Sequence, residues 1–149
     1  MTEISFYHLS TSSLDKALPA ILARILTAEK NALILFDNQE IMEHYNNLLW
    51  SFSSRIFIPH GSVNEEFREE QPIYLTNLEE NLNNATILIT ISKVEPKFAK
   101  SFDRWLYFFD SHNEEELKEA RNKWQKYSKQ KEFETVYWKQ NDQGSWEKQ

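Results

Sequence analysis

Four histidines, His8, His44, His60 and His112, are the first candidates for chemistry, and no two of them stand three or four residues apart. Two imidazoles at that spacing share a helical face and can hold a metal together, so a site here would have to be assembled from distant segments. The chain has no cysteine, which removes thiolate metal sites, disulfides and a cysteine nucleophile. His60 sits in a turn with serines nearby, yet no Gly-x-Ser-x-Gly elbow presents a nucleophile. Two acidic groups could in principle hold magnesium for a nuclease: Asp37, Glu40 and Glu43, and Glu65, Glu66, Glu69 and Glu70. The first three stand at a helix start, where capping and the helix dipole already account for them, and the other four read as a solvated charge run. Gly61 and Gly144 are the only glycines, too few and too far apart for a dinucleotide fingerprint or a phosphate loop. No catalytic, metal-binding or cofactor-binding set is expected.

The charge balance inverts near the C-terminus. Lys118, Arg121, Lys123, Lys126, Lys129 and Lys131 face a single acid, Glu119, so a local charge of +5 stands on a chain of −6. Leu117, Ala120, Trp124 and Tyr127 recur on one face of a helix, with Lys118, Arg121, Gln125 and Lys129 along its flank. Apolar residues edged by cations suit an acidic peptide with an apolar end. The same pattern also describes an amphipathic helix whose basic half complements its own dipole.

Strands and helices alternate through most of the chain. Strands are expected at Glu3 to His8, Ala32 to Phe36, Arg55 to Ile58, Pro72 to Leu75, Ala85 to Ile91, Arg104 to Phe109 and Phe133 to Gln140. "ALILF" is continuously apolar, as in a strand covered on both faces of a parallel sheet. Helices are expected to start at capping patterns near Ser12, Asp37 and Asn113, the last running to about Lys131. Pro19 within the first is tolerable only in its first turn or at a bend. Ser62 to Gln71 reads as an acidic loop, and the tail turns at Gly144. The expectation is one α/β domain over residues 1–149, a mostly parallel sheet flanked by helices. The N-terminus lacks a basic segment before an apolar run, so no signal peptide is expected, and the longest near-apolar run is too short to span a bilayer.

The stretch "LLWSFSSRIFIPHG", Leu48 to Gly61, is either a core helix feeding a core strand or the lip of an interface. It belongs to a set of segments that carry a resemblance: "FYHL", "LLWSF" with "FIPHG", "QPIYL", and "LKEARNKWQKYSKQKEFETVYWKQNDQGSWEKQ". In that order they resemble the chi subunit family of bacterial DNA polymerase III. The resemblance implies a Rossmann-like subunit without catalytic activity, cytoplasmic and part of the clamp-loader assembly. It implies two partners: the acidic C-terminal tail of single-stranded DNA-binding protein, and in many bacteria the psi subunit. DNA would be met only indirectly, with no membrane and no cofactor. The family's tail-binding arginine falls on Arg121 and the adjoining aromatic on Trp124; Lys118 lies close to the family's basic position one turn earlier, and Gln125 stands where some relatives carry a basic residue. With Tyr127 of the same helical face these residues make the expected tail site. Trp50 and Phe57 fall on the face that contacts psi or another clamp-loader component. Two alternatives stand beside this reading. One is a single-strand-binding module stacking bases on Trp124, Trp138 and Trp146 beside the Lys118–Lys131 row. The other is a metal-dependent nuclease or hydrolase with its site at one end of the sheet.

Overall fold

A computed structural model describes residues 1–51, 58–62, 68–91 and 93–149. The elements in chain order are β1 (Thr2–Leu9), α1 (Leu14–Thr27), β2 (Ala32–Leu35), α2 (Gln39–Ser51), β3 (His60–Ser62), β4 (Ile73–Thr76), β5 (Ile87–Ile91), β6 (Arg104–Asp110), α3 (Glu114–Ser128), β7 (Phe133–Gln140) and β8 (Trp146–Lys148). Among the described residues the strands form one eight-stranded sheet in the order β3-β4-β2-β5-β6-β1-β7-β8. Every neighbouring pair is parallel except β7 and β8. The expected α/β architecture with a largely parallel sheet is therefore present.

The continuously apolar runs sit where both faces are covered. Ala32, Leu33, Ile34 and Leu35 are all buried, as are all four residues of β4. One face of the sheet packs under α1 and α2, with Tyr7, Ile34, Leu106 and Phe108 meeting Leu18, Leu22 and Leu49. The other face carries Ile4, Phe6, Trp105, Tyr107 and Phe109 under Ala120 and Tyr127 of α3. Alternation along β1 thus sends Phe6 toward α3 and Tyr7 toward α1, as the two-residue period of a strand requires.

Helix boundaries depart from the expected ones in physically simple ways. Ser13, not Ser12, is the N-cap of α1, and its side chain makes no capping bond. Pro19 lies beyond the first turn, buried, so the Asp15 carbonyl lacks its usual donor four residues on. At α2 the cap is Asn38, whose Oδ1 accepts from the Ile41 N–H at 2.9 Å, rather than Asp37. Asn113 caps α3 as expected, accepting from Glu115 and Glu116. That helix stops at Ser128 instead of Lys131, because the Gln130 N–H turns back to the Tyr127 carbonyl and the chain then enters β7. Most of the Arg55–Ile58 strand lies outside the described residues; the edge strand β3 begins only after Pro59. Within the expected acidic loop, Arg68–Glu70 form a short 3-10 turn. Gly144 has a φ of +82°, a left-handed conformation that glycine adopts without a Cβ clash, and it returns the tail as β8, a strand not expected from sequence.

Candidate functional site

Parallel pairing places β1 between β6 and β7, and α3 lies across them on one face. The helix does not fully cover the sheet toward β7. A cleft of about 440 Å³ remains, walled by Leu117, Arg121, Trp124 and Gln125 of α3 and floored by His8, Phe109 and Tyr137. Trp124 stands edge-on to Phe6 at 5.2 Å and to Tyr137 at 5.9 Å between ring centroids, so its indole is fixed by the sheet beneath. Arg121 and Gln125 are exposed at the rim, one turn apart on the same side of the helix. Arg121 enters no ion pair among the described residues and lines a mostly apolar cleft while remaining exposed. A carboxylate can be held there bidentately while an apolar side chain fills the space below.

The structure separates the five residues expected at this site. Arg121, Trp124 and Gln125 come together in the cleft. Lys118 is exposed on the same helix and does not line it. Tyr127 turns inward instead: it is 5% exposed, edge-on to Trp105 and Phe133, with its hydroxyl donating to Glu95 Oε1 at 2.5 Å. Its position on the apolar stripe points it into the core, not the cleft.

The basic row is also less free than its composition implied. Lys123 is buried and its ammonium donates to Glu95 Oε2, while Lys126 reaches Glu95 Oε1 at 3.0 Å. Burial works against the Glu95 charge, but hydrogen bonds from Lys123, Tyr127 and Lys126 outweigh it and bring its pKa down to about 2. Two of the six cations thus anchor α3 to the segment before the 3-10 turn at Ala99–Ser101.

Two polar residues of the cleft floor, His8 and Tyr137, were not foreseen. The Tyr137 hydroxyl and His8 Nδ1 are hydrogen-bonded across its floor. Burial, then the charges of Lys139 and His112, push the His8 pKa down against the opposing pull of Asp110, which favours the neutral ring. Burial raises the Tyr137 pKa, partly countered by Arg121. Strand parity carried the signal: His8 follows Ile4 and Phe6 on the face turned to α3.

At the carboxyl end of β1, where doubly wound folds hold phosphates, a side chain of this protein fills the place. The backbone N–H groups of Ser10, Thr11 and Ser12 each donate to Gln140 Oε1 at 3.1 Å, and Gln140 Nε2 donates to Ser12 Oγ at 2.6 Å. Among the described residues no group of three His, Asp or Glu is placed to hold a metal. Nor is any described helix long and apolar enough to cross a membrane.

The second expected surface is only partly described. Trp50, on the last turn of α2, is 53% exposed and its ring lies 4.3 Å from that of His60, centroid to centroid. His60 is buried and its Nδ1 lies 2.7 Å from the Ile58 carbonyl, so the surface indole rests on a fixed ring. Phe57 lies outside the described residues.

Comparison with known proteins decides the family. Residues 1–134 match the family described as DNA polymerase III chi subunit, HolC. A protein of Rickettsia prowazekii (strain Madrid E) named "Probable DNA polymerase III subunit chi" is 32% identical, over 99% of this chain and 92% of its own length. The chain belongs to the DNA polymerase III chi subunit family. Chi subunits are non-catalytic accessory subunits, which agrees with the resemblance and removes the nuclease or hydrolase alternative. The single-strand-binding alternative loses its geometry. Trp124 packs on the α3 face of the chi sheet, whereas Trp138 and Trp146 pack on the α1 face, so they form no common stacking platform with the Lys118–Lys131 row.

Proposed function

We propose that this chi-family protein is a cytoplasmic adaptor that holds the acidic C-terminal tail of single-stranded DNA-binding protein in the α3–β7 cleft and links it to the clamp-loader assembly. One observation carries the reading: Arg121, in no ion pair among the described residues, lines a mostly apolar cleft together with Trp124 and Gln125. A terminal carboxylate meets Arg121, an apolar end residue enters the cleft, and the preceding acids run toward Lys118 along the exposed flank. Trp50, together with Phe57 by the family resemblance, docks the psi subunit or another clamp-loader component, since an exposed indole backed by a rigid ring is a good anchor for a protein partner. Residues 1–149 act as one domain in both contacts.

Calorimetric titration with the acidic tail peptide tests the cleft. Arg121→Ala is expected to weaken binding by about 1.5–3 kcal/mol, the range for a hydrogen bond to a charged group. Amidating the peptide's C-terminus is expected to cost a similar amount in the wild-type protein and little in the variant. Equal affinity for both proteins, with the fold intact, refutes the assignment.

A further inference from the structure

A second cleft lies on the opposite face of the same strands. It holds about 470 Å³ between α1 and the β7–β8 edge. Tyr7, Leu106, Trp138 and Trp146 line its apolar part. Tyr7 is parallel to Trp138 at 6.2 Å between ring centroids and Trp146 stands edge-on to Tyr7 at 4.9 Å, so the aromatic surface is held by its own stacking. Three cations surround it: Arg24 on α1, Lys30 just beyond that helix, and Arg104 at the start of β6. Arg24 and Lys30 are exposed and enter no ion pair among the described residues, while Arg104 lies 3.6 Å from Glu3. Asp103 is the one acid among the described lining residues. The indole N–H of Trp138 is buried without an acceptor among the described residues, leaving one donor of this wall unused.

A cationic margin around aromatic surface, on a chain of net charge −6, is complementary to an acidic partner. We propose that this cleft is a second peptide site, for an internal acidic segment with one apolar side chain seated on Trp138 and Trp146 and acids on either side reaching Arg24, Lys30 and Arg104. The distribution of charge separates it from the α3 cleft. There a single guanidinium suits one terminal carboxylate; here three cations contributed by separate segments suit a chain that passes through. Nucleic acid fits less well, because one of only three cations already pairs with Glu3 and regularly spaced phosphates would also meet Asp103.

The test uses a fluorescein-labelled Asp-Glu-Phe-Glu-Asp peptide, acetylated and amidated so that no terminal carboxylate can occupy the α3 cleft. Anisotropy titrations compare the wild-type protein, Arg121→Ala, and the double variant Arg24→Glu, Lys30→Glu. Both reversed residues are exposed, and urea melts confirm that the double variant folds. Saturable binding is expected, unchanged in Arg121→Ala and about tenfold weaker in the double reversal, with an amide-shift footprint on Ile25, Trp138 and Trp146. Absent binding, loss of binding in Arg121→Ala, or equal affinity in the double reversal overturns the proposal. So does oligo(dT) displacing the labelled peptide at lower concentration than unlabelled peptide does, which assigns the cleft to nucleic acid.

Discussion

The ion cluster that seats α3 can be tested through Glu95→Gln. The substitution keeps the side-chain volume and an acceptor for the Tyr127 hydroxyl, but removes the charge that faces Lys123 and Lys126. A fall in the Glu95 pKa from 4.5 to about 2 corresponds to about 3.4 kcal/mol of preference for the charged form in the folded chain. That figure is an upper limit, because the Glu95 side chain is 48% exposed and water screens its interactions. The Lys123 side chain is only 9% exposed, so the variant also leaves an ammonium beside a neutral amide in a largely buried place. With both considered, urea melts at pH 7 are expected to show a loss of about 1–2 kcal/mol.

The pH dependence gives this prediction its sign. Burial alone would raise the Glu95 pKa, but the hydrogen bonds from Lys123, Tyr127 and Lys126 bring it below its ordinary value. Its contribution is therefore complete above about pH 4.5 and is lost as the pH falls from there through about 2. The gap between wild type and Glu95→Gln should be constant near neutrality and narrow progressively below pH 4.5. A variant as stable as wild type at pH 7, or a gap that widens on acidification, refutes the assignment of α3 anchoring to this carboxylate.

Other outcomes follow from the same geometry. Arg121→Lys is expected to recover little of the tail affinity lost in Arg121→Ala, because an ammonium cannot make a two-pronged contact, and wild-type binding should weaken with added salt; both are read by calorimetry. Trp50→Ala should change the stability of the lone subunit by less than about 1 kcal/mol, as for an exposed side chain, yet cost about 2 kcal/mol or more in binding the clamp-loader partner, measured by urea melt and surface plasmon resonance. Gln140→Ala strips three N–H groups of their shared acceptor and should destabilise by about 1–3 kcal/mol in the same melts. ATP should not bind saturably in calorimetry, and a dissociation constant below about 100 μM would contradict the reading of the β1–α1 loop.

Much of this arrangement was legible because buried parallel strands advertise themselves. "ALILF" and "RWLYFF" have no polar face to conceal their period, and Asn113 stands where a capped helix must begin. Arg121, Trp124 and Gln125 were legible as neighbours on one side of α3 from helical spacing; the cleft they line depends on β7 and was not. Tyr127 was not, since a tyrosine on an apolar stripe satisfies the same periodicity whether its hydroxyl meets solvent or a buried carboxylate. Glu95 explains that ambiguity and also why Lys123 is not part of a free basic row. It lies 28 residues before Lys123, in a segment with no periodicity of its own, so only the tertiary fold brings the two together. β8 escaped for a related reason: three residues after a glycine turn carry too short a pattern, and their pairing depends on β7 already being in place.

The placement of the proposed sites follows from what occupies the end of the sheet. In open α/β sheets ligands commonly settle beyond the carboxyl ends of the strands, where neighbouring connections diverge. Here β1 leads to β2 on one side and β6 leads through α3 to β7 on the other, so the divergence lies between β1 and β6. The N–H groups of the β1–α1 loop, which would face a phosphate, are taken by Gln140. Among the described residues the crevice itself is lined by Asp15, Asp110 and Glu116 against the single cation Lys93, a balance that repels a phosphate. Burial raises the Glu116 pKa even as the Asp110 N–H donates to its carboxylate, so that wall is poorly suited to a second anion. The two proposed peptide sites instead lie on the two faces of β1 and β7, where the lining includes aromatic residues and where Arg121, Arg24 and Lys30 enter no ion pair among the described residues. A fold whose nucleotide position is filled by its own glutamine can keep the scaffold and leave its faces free for the proposed peptide contacts.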